Sequence, residues 1–215
     1  MAAKTHSDKR LSAAKALMAL LAEKSWQSIS LSDVAAKAAL SLADLRSVAF
    51  GKEALLSALG SDIDRQVLAG LGQEEADLSA RDRLFDVLMR RIEALTPYKA
   101  AFRRLAREGA QAPFALLASA CSIDRAMPWM LEAAGISSAG LAGRLKAKAL
   151  AAVYLSAVRV WLGDDSADLG PTMGALDQAL DRAERLIALL PLPLRSCLAG
   201  VKTAKARADT ASGQT

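Results

Sequence analysis

The sequence predicts an all-α protein on three grounds. Apolar residues make up 53% of the 215-residue chain and aromatics only 4%, so the hydrophobic content is mostly Ala and Leu, strong helix formers with no branched Cβ. Apolar positions recur at three- and four-residue steps through most segments, the period of one buried helix face. Between these segments stand Ser/Asp pairs, Gly and Pro, which start and stop helices. The length is sufficient to bury a sizeable core.

Ser7-Asp8 provides a cap for a first helix in which Leu11, Ala14, Leu17, Met18 and Leu21 form one stripe, ending near Lys24. Two helices of about two turns follow, opening at Ser30 and Ser41, and the few residues around Ala39-Leu40 between them give helix-turn-helix spacing. Ser41 with Asp44 three residues on resembles a capping box. Lys52 opens a fourth helix, whose stripe Leu55, Leu59, Ile63 and Val67 runs to the stops at Gly70 and Gly72. The rest reads as further helices at 81–95, 97–108, 114–131, 145–162 and 171–190. Pro128 is expected to kink or break the third of these, and Gly135 to Gly143 reads as a loop.

Charge and residue chemistry narrow the function. The formal net charge is +5, and the basic surplus lies in residues 1–60 and 195–215, leaving the middle nearly neutral. One His, at position 6, and two Cys, at 121 and 197, show no metal-ligand or nucleophile spacing. No catalytic residue, cofactor or metal site is therefore expected, and both thiols are expected to be reduced in a cytoplasmic protein. Asp164, Asp165 and Asp168 lack the spacing of a calcium loop and read as a solvated interhelical turn. No run reaches the roughly 20 apolar residues of a membrane span.

This order of elements, a basic three-helix head with a helix-turn-helix, a linking fourth helix and a helical body, resembles the tetracycline-repressor (TetR) family. The residues that carry the resemblance are Ala39-Leu40-Ser41 at the turn, Leu45-Arg46, Ala49, and above all Gly51-Lys52-Glu53-Ala54-Leu55-Leu56. Arg46 stands where the family has Tyr, and Ala49 where it has Phe, with Phe50 one place later. The resemblance implies a TetR-like fold with a DNA-binding head at 1–52, a ligand-binding and dimerisation body at 53–194 and a polar tail at 195–215. It also implies a ligand-responsive transcriptional regulator that binds double-stranded DNA as a homodimer.

On that reading Ser41 to Val48 enters the major groove, and the DNA-contact candidates are Ser30, Lys37, Ser41, Leu42, Asp44, Arg46, Ser47 and Lys52. Lys37, Arg46 and Lys52 suit phosphate contact by their clustering on a small head. Arg46 is the base or phosphate anchor, and Lys52 meets a phosphate at a helix N-terminus. An apolar small molecule or lipid tail is expected among Phe85, Leu88, Met89, Ile92, Phe102, Leu117, Met127, Trp129 and Met130. The Met-rich members of this set suit a ligand wall or plain core equally. Neighbouring Arg and Asp residues are expected to face solvent, leaving Tyr98 or Cys121 as polar handles. The helices 145–162 and 171–190 are expected to form the dimer interface through Leu176, Leu180 and Ile187.

A second resemblance lies in Ala149 to Tyr154 and Trp161 to Asp177. These are similar to the ubiquinone-biosynthesis accessory proteins, which share the TetR fold. That likeness implies a lipid or isoprenoid binder that no longer contacts DNA.

Overall fold

Thr5 starts the first helix. Its side chain accepts from the Asp8 backbone N–H, and the Asp8 carboxylate accepts from the Thr5 N–H in return, a complete capping box. The cap thus lies two residues before the one expected at Ser7, because Asp8 serves as the third helical residue of that box. A computed structural model describes residues 5–72 and 78–189. Among them are nine α-helices and no strand: α1 (His6–Glu23), α2 (Leu31–Lys37), α3 (Leu42–Val48), α4 (Lys52–Ala69), α5 (Ala80–Leu95), α6 (Lys99–Glu108), α7 (Pro113–Ala133), α8 (Gly140–Trp161) and α9 (Gly170–Ala188). The fold is all-α. The tail at 195–215, Leu190 and Cys197 lie outside the described residues.

α1 packs on α2 and α3 and, along its other side, on α4 and α6. Ala13, Leu17, Met18 and Leu21 meet Trp26, Ile29, Val34 and Leu45 in one buried cluster. Ser30 caps α2 with a full capping box through Asp33, and Ser41 caps α3 by accepting from the Asp44 N–H. The turn between them is a Schellman motif: the Leu40 N–H bonds the Ala35 carbonyl at 2.9 Å and the Ala39 N–H the Ala36 carbonyl at 3.1 Å. Ala39 is therefore held at φ 53°, in the left-handed region.

In the body, α4 packs against α7, α7 against α8, α8 against α9, and α5 against α4, α7 and α9. Three sequence expectations are corrected. α7 runs unbroken through Pro128. Its missing N–H removes one rung, while Met127, Met130 and Leu131 on either side are buried in the core and hold the helix together. α8 starts at Gly140, inside the expected loop, because a Cβ at Gly143 would fall 2.0 Å from the Ser138 carbonyl group. Only glycine lets the preceding chain cross that first turn.

The third correction concerns Asp164. It is buried rather than solvated: one carboxylate oxygen accepts from the Ser166 N–H and hydroxyl at 3.1 and 2.5 Å, the other from the Thr172 N–H and hydroxyl at 3.1 and 2.5 Å. These donors lower its pKa to about 2. Lys99 of α6 donates to its carbonyl, so the α8–α9 corner is fastened to the body. Among the described residues no cluster could hold a metal ion and no helix is long and apolar enough to cross a membrane.

Candidate functional site

Two regions carry the residues singled out above. The first is the outer face of α2 and α3. Lys37, Leu42, Arg46 and Ser47 are exposed there, and neither Lys37 nor Arg46 has an ion pair among the described residues. The Arg46 guanidinium lies 5.0 Å from the ring centre of Phe50, which is 89% exposed directly after the helix. The pair forms a flat, cationic and aromatic edge beside α3.

Several of the other candidates are committed within the head. Ser30 and Ser41 are helix caps, and the Ser47 hydroxyl donates back to the Asp44 carbonyl at 2.7 Å. Asp44 accepts from Lys9 of α1 at 2.7 Å and from the Ser41 hydroxyl at 2.8 Å, which keeps its carboxyl below the usual range and pins α3 to α1. Lys52, expected to meet a phosphate, is turned inward. Its ammonium donates to the Trp26 and Ile29 carbonyls at 2.5 and 2.8 Å and sits 4.6 Å from the Trp26 ring centre. Burial lowers its pKa. The α1–α2 loop offers three groups that suit an ammonium better than a surface phosphate would, and Lys52 therefore staples α4 to the head.

The second region is an apolar cavity of about 200 Å³, partly open to solvent and lined by α4 to α8, with Gly60, Arg91, Phe102, Ile123, Tyr154 and Trp161 in its wall and the exposed Leu116, Ala120 and Leu155 also lining it. The nine residues expected to line a pocket do not converge on it. Phe102 alone borders it. Leu88, Met89, Ile92, Met127 and Met130 are buried in the packed core, Phe85 lies partly buried against that core, and Leu117 and Trp129 are 59% and 62% exposed. The reason is helical phase: α7 turns Ala115, Ala126, Met127 and Met130 inward, which leaves 117 and 129 on its outer side.

The polar content of the wall also differs from expectation. Arg91 is 2% exposed; its Nε donates to the Asp64 carboxylate at 2.8 Å and its Nη1 to the Tyr154 hydroxyl oxygen at 2.6 Å. Burial raises the pKa of both Asp64 and Tyr154, and in each case Arg91 opposes the rise. Neither Tyr98 nor Cys121, an exposed free thiol, reaches the cavity. A sequence signal for Arg91 existed: it occupies the same stripe of α5 as Leu84, Leu88 and Leu95, a core position filled by a charge.

Head and cavity share elements. α4 and α6 line the cavity and both pack on α1. In addition the Trp26 N–H bonds the Glu108 carboxylate at 2.9 Å, and the Gln27 side chain the Gln111 carbonyl at 2.7 Å, joining the head to the end of α6.

No protein-family model matches the sequence, and no characterised protein matches it in sequence. Solved structures do match in fold. The chain is similar to a TetR transcriptional regulator from Nitrosomonas europaea ATCC 19718, with a TM-score of 0.65 at 24% identity over 82% of this chain and 98% of that one. A TetR regulator from Rhodococcus sp. RHA1 gives 0.59 at 20% identity, covering 86% and 97% of the two chains. A TetR-family regulator from Streptomyces coelicolor gives 0.60 at 15%, covering 98% and 97%. The helix order, the helix-turn-helix on α1 and the α4 link thus place this chain in the fold of the TetR transcriptional regulators.

Proposed function

We propose that the protein is a ligand-responsive DNA-binding transcriptional regulator of the TetR type, with a head at 1–52, a body at 53–194 and no catalytic role. The observation that carries this reading is the exposed α3 face, where Arg46 and Ser47 project beside Lys37 from a capped, rigidly anchored helix of the length that fits a major groove. Arg46 is the principal anchor, to a guanine edge or a phosphate, and Lys37 adds a phosphate contact. Lys52 acts indirectly, by holding α4 against the head. An apolar small molecule in the body changes DNA affinity only if it favours one placement of the two heads in a dimer; α4 and α6, which touch both cavity and head, are the route.

Fluorescence anisotropy on duplex DNA tests the assignment. Arg46→Ala should weaken binding by about 1–3 kcal/mol. Lys37→Ala should weaken all sequences alike and reduce the salt slope by about one. Unchanged binding in both variants would remove this face from the function.

A second reading is favoured by one specific observation. Lys52 faces inward and Lys9 is already paired with Asp44, so neither adds to Lys37 and Arg46, the two cations that α2 and α3 present for DNA. A TetR-fold lipid or isoprenoid binder of the ubiquinone-accessory kind needs only the body. Organic extraction of the purified protein distinguishes the two: a co-purifying isoprenoid, with no duplex binding at low salt, would favour the second reading over the first.

A further inference from the structure

Resting on the ligand-binding reading of the body, we infer that the cavity takes an uncharged, mainly apolar ligand bearing a hydrogen-bond acceptor, such as a ketone oxygen, to which the Trp161 indole N–H donates. Trp161 is 1% exposed and forms part of the cavity wall, yet its Nε1 is buried with no hydrogen-bond partner among the described residues. A buried donor left unpaired loses its hydration with nothing in return, so such groups ordinarily mark a missing partner. Tyr154 lies seven residues earlier on the same face of α8 and in the same wall. Its oxygen accepts from Arg91, while its own proton is donated to no acceptor among the described residues. The wall therefore offers two fully buried donors without acceptors among the described residues, beside the half-buried Ser122 hydroxyl.

Charge selects against an anion. Arg91 is the only charged residue of the wall, and Asp64 neutralises it at 2.8 Å. A carboxylate would have to shed its water to meet a cation that is already paired. A lone ordered water is a poor substitute, because it requires several polar partners while most of the wall is apolar; of the two serines in the wall, the Ser119 hydroxyl is given to the Ala115 carbonyl at 2.9 Å and Ser122 is only half-buried. Size points to a compact molecule. A dry apolar cavity of about 150 Å³ holds benzene, so about 200 Å³ suits one ring with a short substituent.

The test compares acetophenone, ethylbenzene and benzoate by isothermal titration of the full chain. Acetophenone should bind about threefold to tenfold more tightly than ethylbenzene, the increment of one hydrogen bond, and benzoate more weakly than either. Trp161→Phe should abolish the preference for the ketone and leave ethylbenzene affinity within about twofold. A spectrum of the ¹⁵N-labelled wild-type chain reads the same contact should that variant not fold: one of the three indole N–H signals should move downfield with acetophenone and stay in place with ethylbenzene. Equal affinity for ketone and hydrocarbon without an indole shift would overturn the acceptor assignment and leave an apolar ligand site standing. Tightest binding by benzoate would overturn the uncharged class. Binding of none of the three would overturn both this inference and the ligand-binding reading beneath it.

Discussion

Ala39 and Gly135 occupy the same place in two Schellman motifs, at the ends of α2 and α7, with φ of 53° and 76°. A Cβ is strained in that region, and glycine is not. Ala39→Gly should therefore stabilise the protein by about 0.5–1 kcal/mol, the relieved strain exceeding the added chain entropy; Gly135→Ala should destabilise it by at least as much, since the new Cβ also meets Arg83 at 3.1 Å. Chemical denaturation of both variants checks the opposite signs. Asp164 supplies the pH dependence. Its pKa in the folded chain, about 2, lies below the unfolded value of about 3.9, so its stabilising effect is full above the unfolded value and is lost as pH falls towards 2. Asp164→Asn should be clearly less stable than wild type at pH 6, and the gap should close in acid. Thermal melts across pH 6 to 2.5 would show it, and a constant gap would contradict the assignment. At this scale the caps at Ser30 and Ser41 were legible because they depend on neighbours three residues away. The burial of Arg91 and Asp164 was not, because it depends on Tyr154 and Asp64 for one and on Thr172 and α6 for the other.

At the level of elements, apolar period and capping residues together located the nine α-helices of the described residues, and the Lys-Glu-Ala-Leu-Leu segment correctly marked the start of α4. The role of its lysine was misread, since only the fold brings the Trp26 and Ile29 carbonyls to the ammonium. Lys52→Met should accordingly lower stability by about 1–3 kcal/mol by stranding those acceptors. Any weakening of DNA binding it causes should appear without a change in salt slope, which a phosphate contact would alter. The expected pocket erred in the phase of α7. Its residues are apolar on most faces, so the sequence left the inward side undetermined, and packing against α4 and α8 decides it.

For the whole molecule, dimerisation through α8 and α9 is retained as a proposal, with different residues. Leu176 and Leu180 are buried within the protomer and Ile187 is half-buried, so the first two cannot form an interface core. Leu141, Leu145 and Leu186 on these helices, with Leu189 directly after α9, are exposed and leave apolar surface to cover. Leu145→Glu should convert a dimer into a monomer at micromolar concentration in sedimentation, with helical content unchanged; a wild-type monomer at that concentration would remove the dimer from the account. The all-α body and the helix-turn-helix were legible in the sequence because each follows from local period and caps. The cavity was not, because five helices contribute to it and no two lining positions from different helices are linked by spacing. Sequencing of the genomic fragments retained by the purified full chain at rising salt tests the proposed DNA recognition. A short two-fold-symmetric site should be enriched, survive added salt and be lost in Arg46→Ala. Retention that shows no sequence enrichment and disappears uniformly with salt would contradict it.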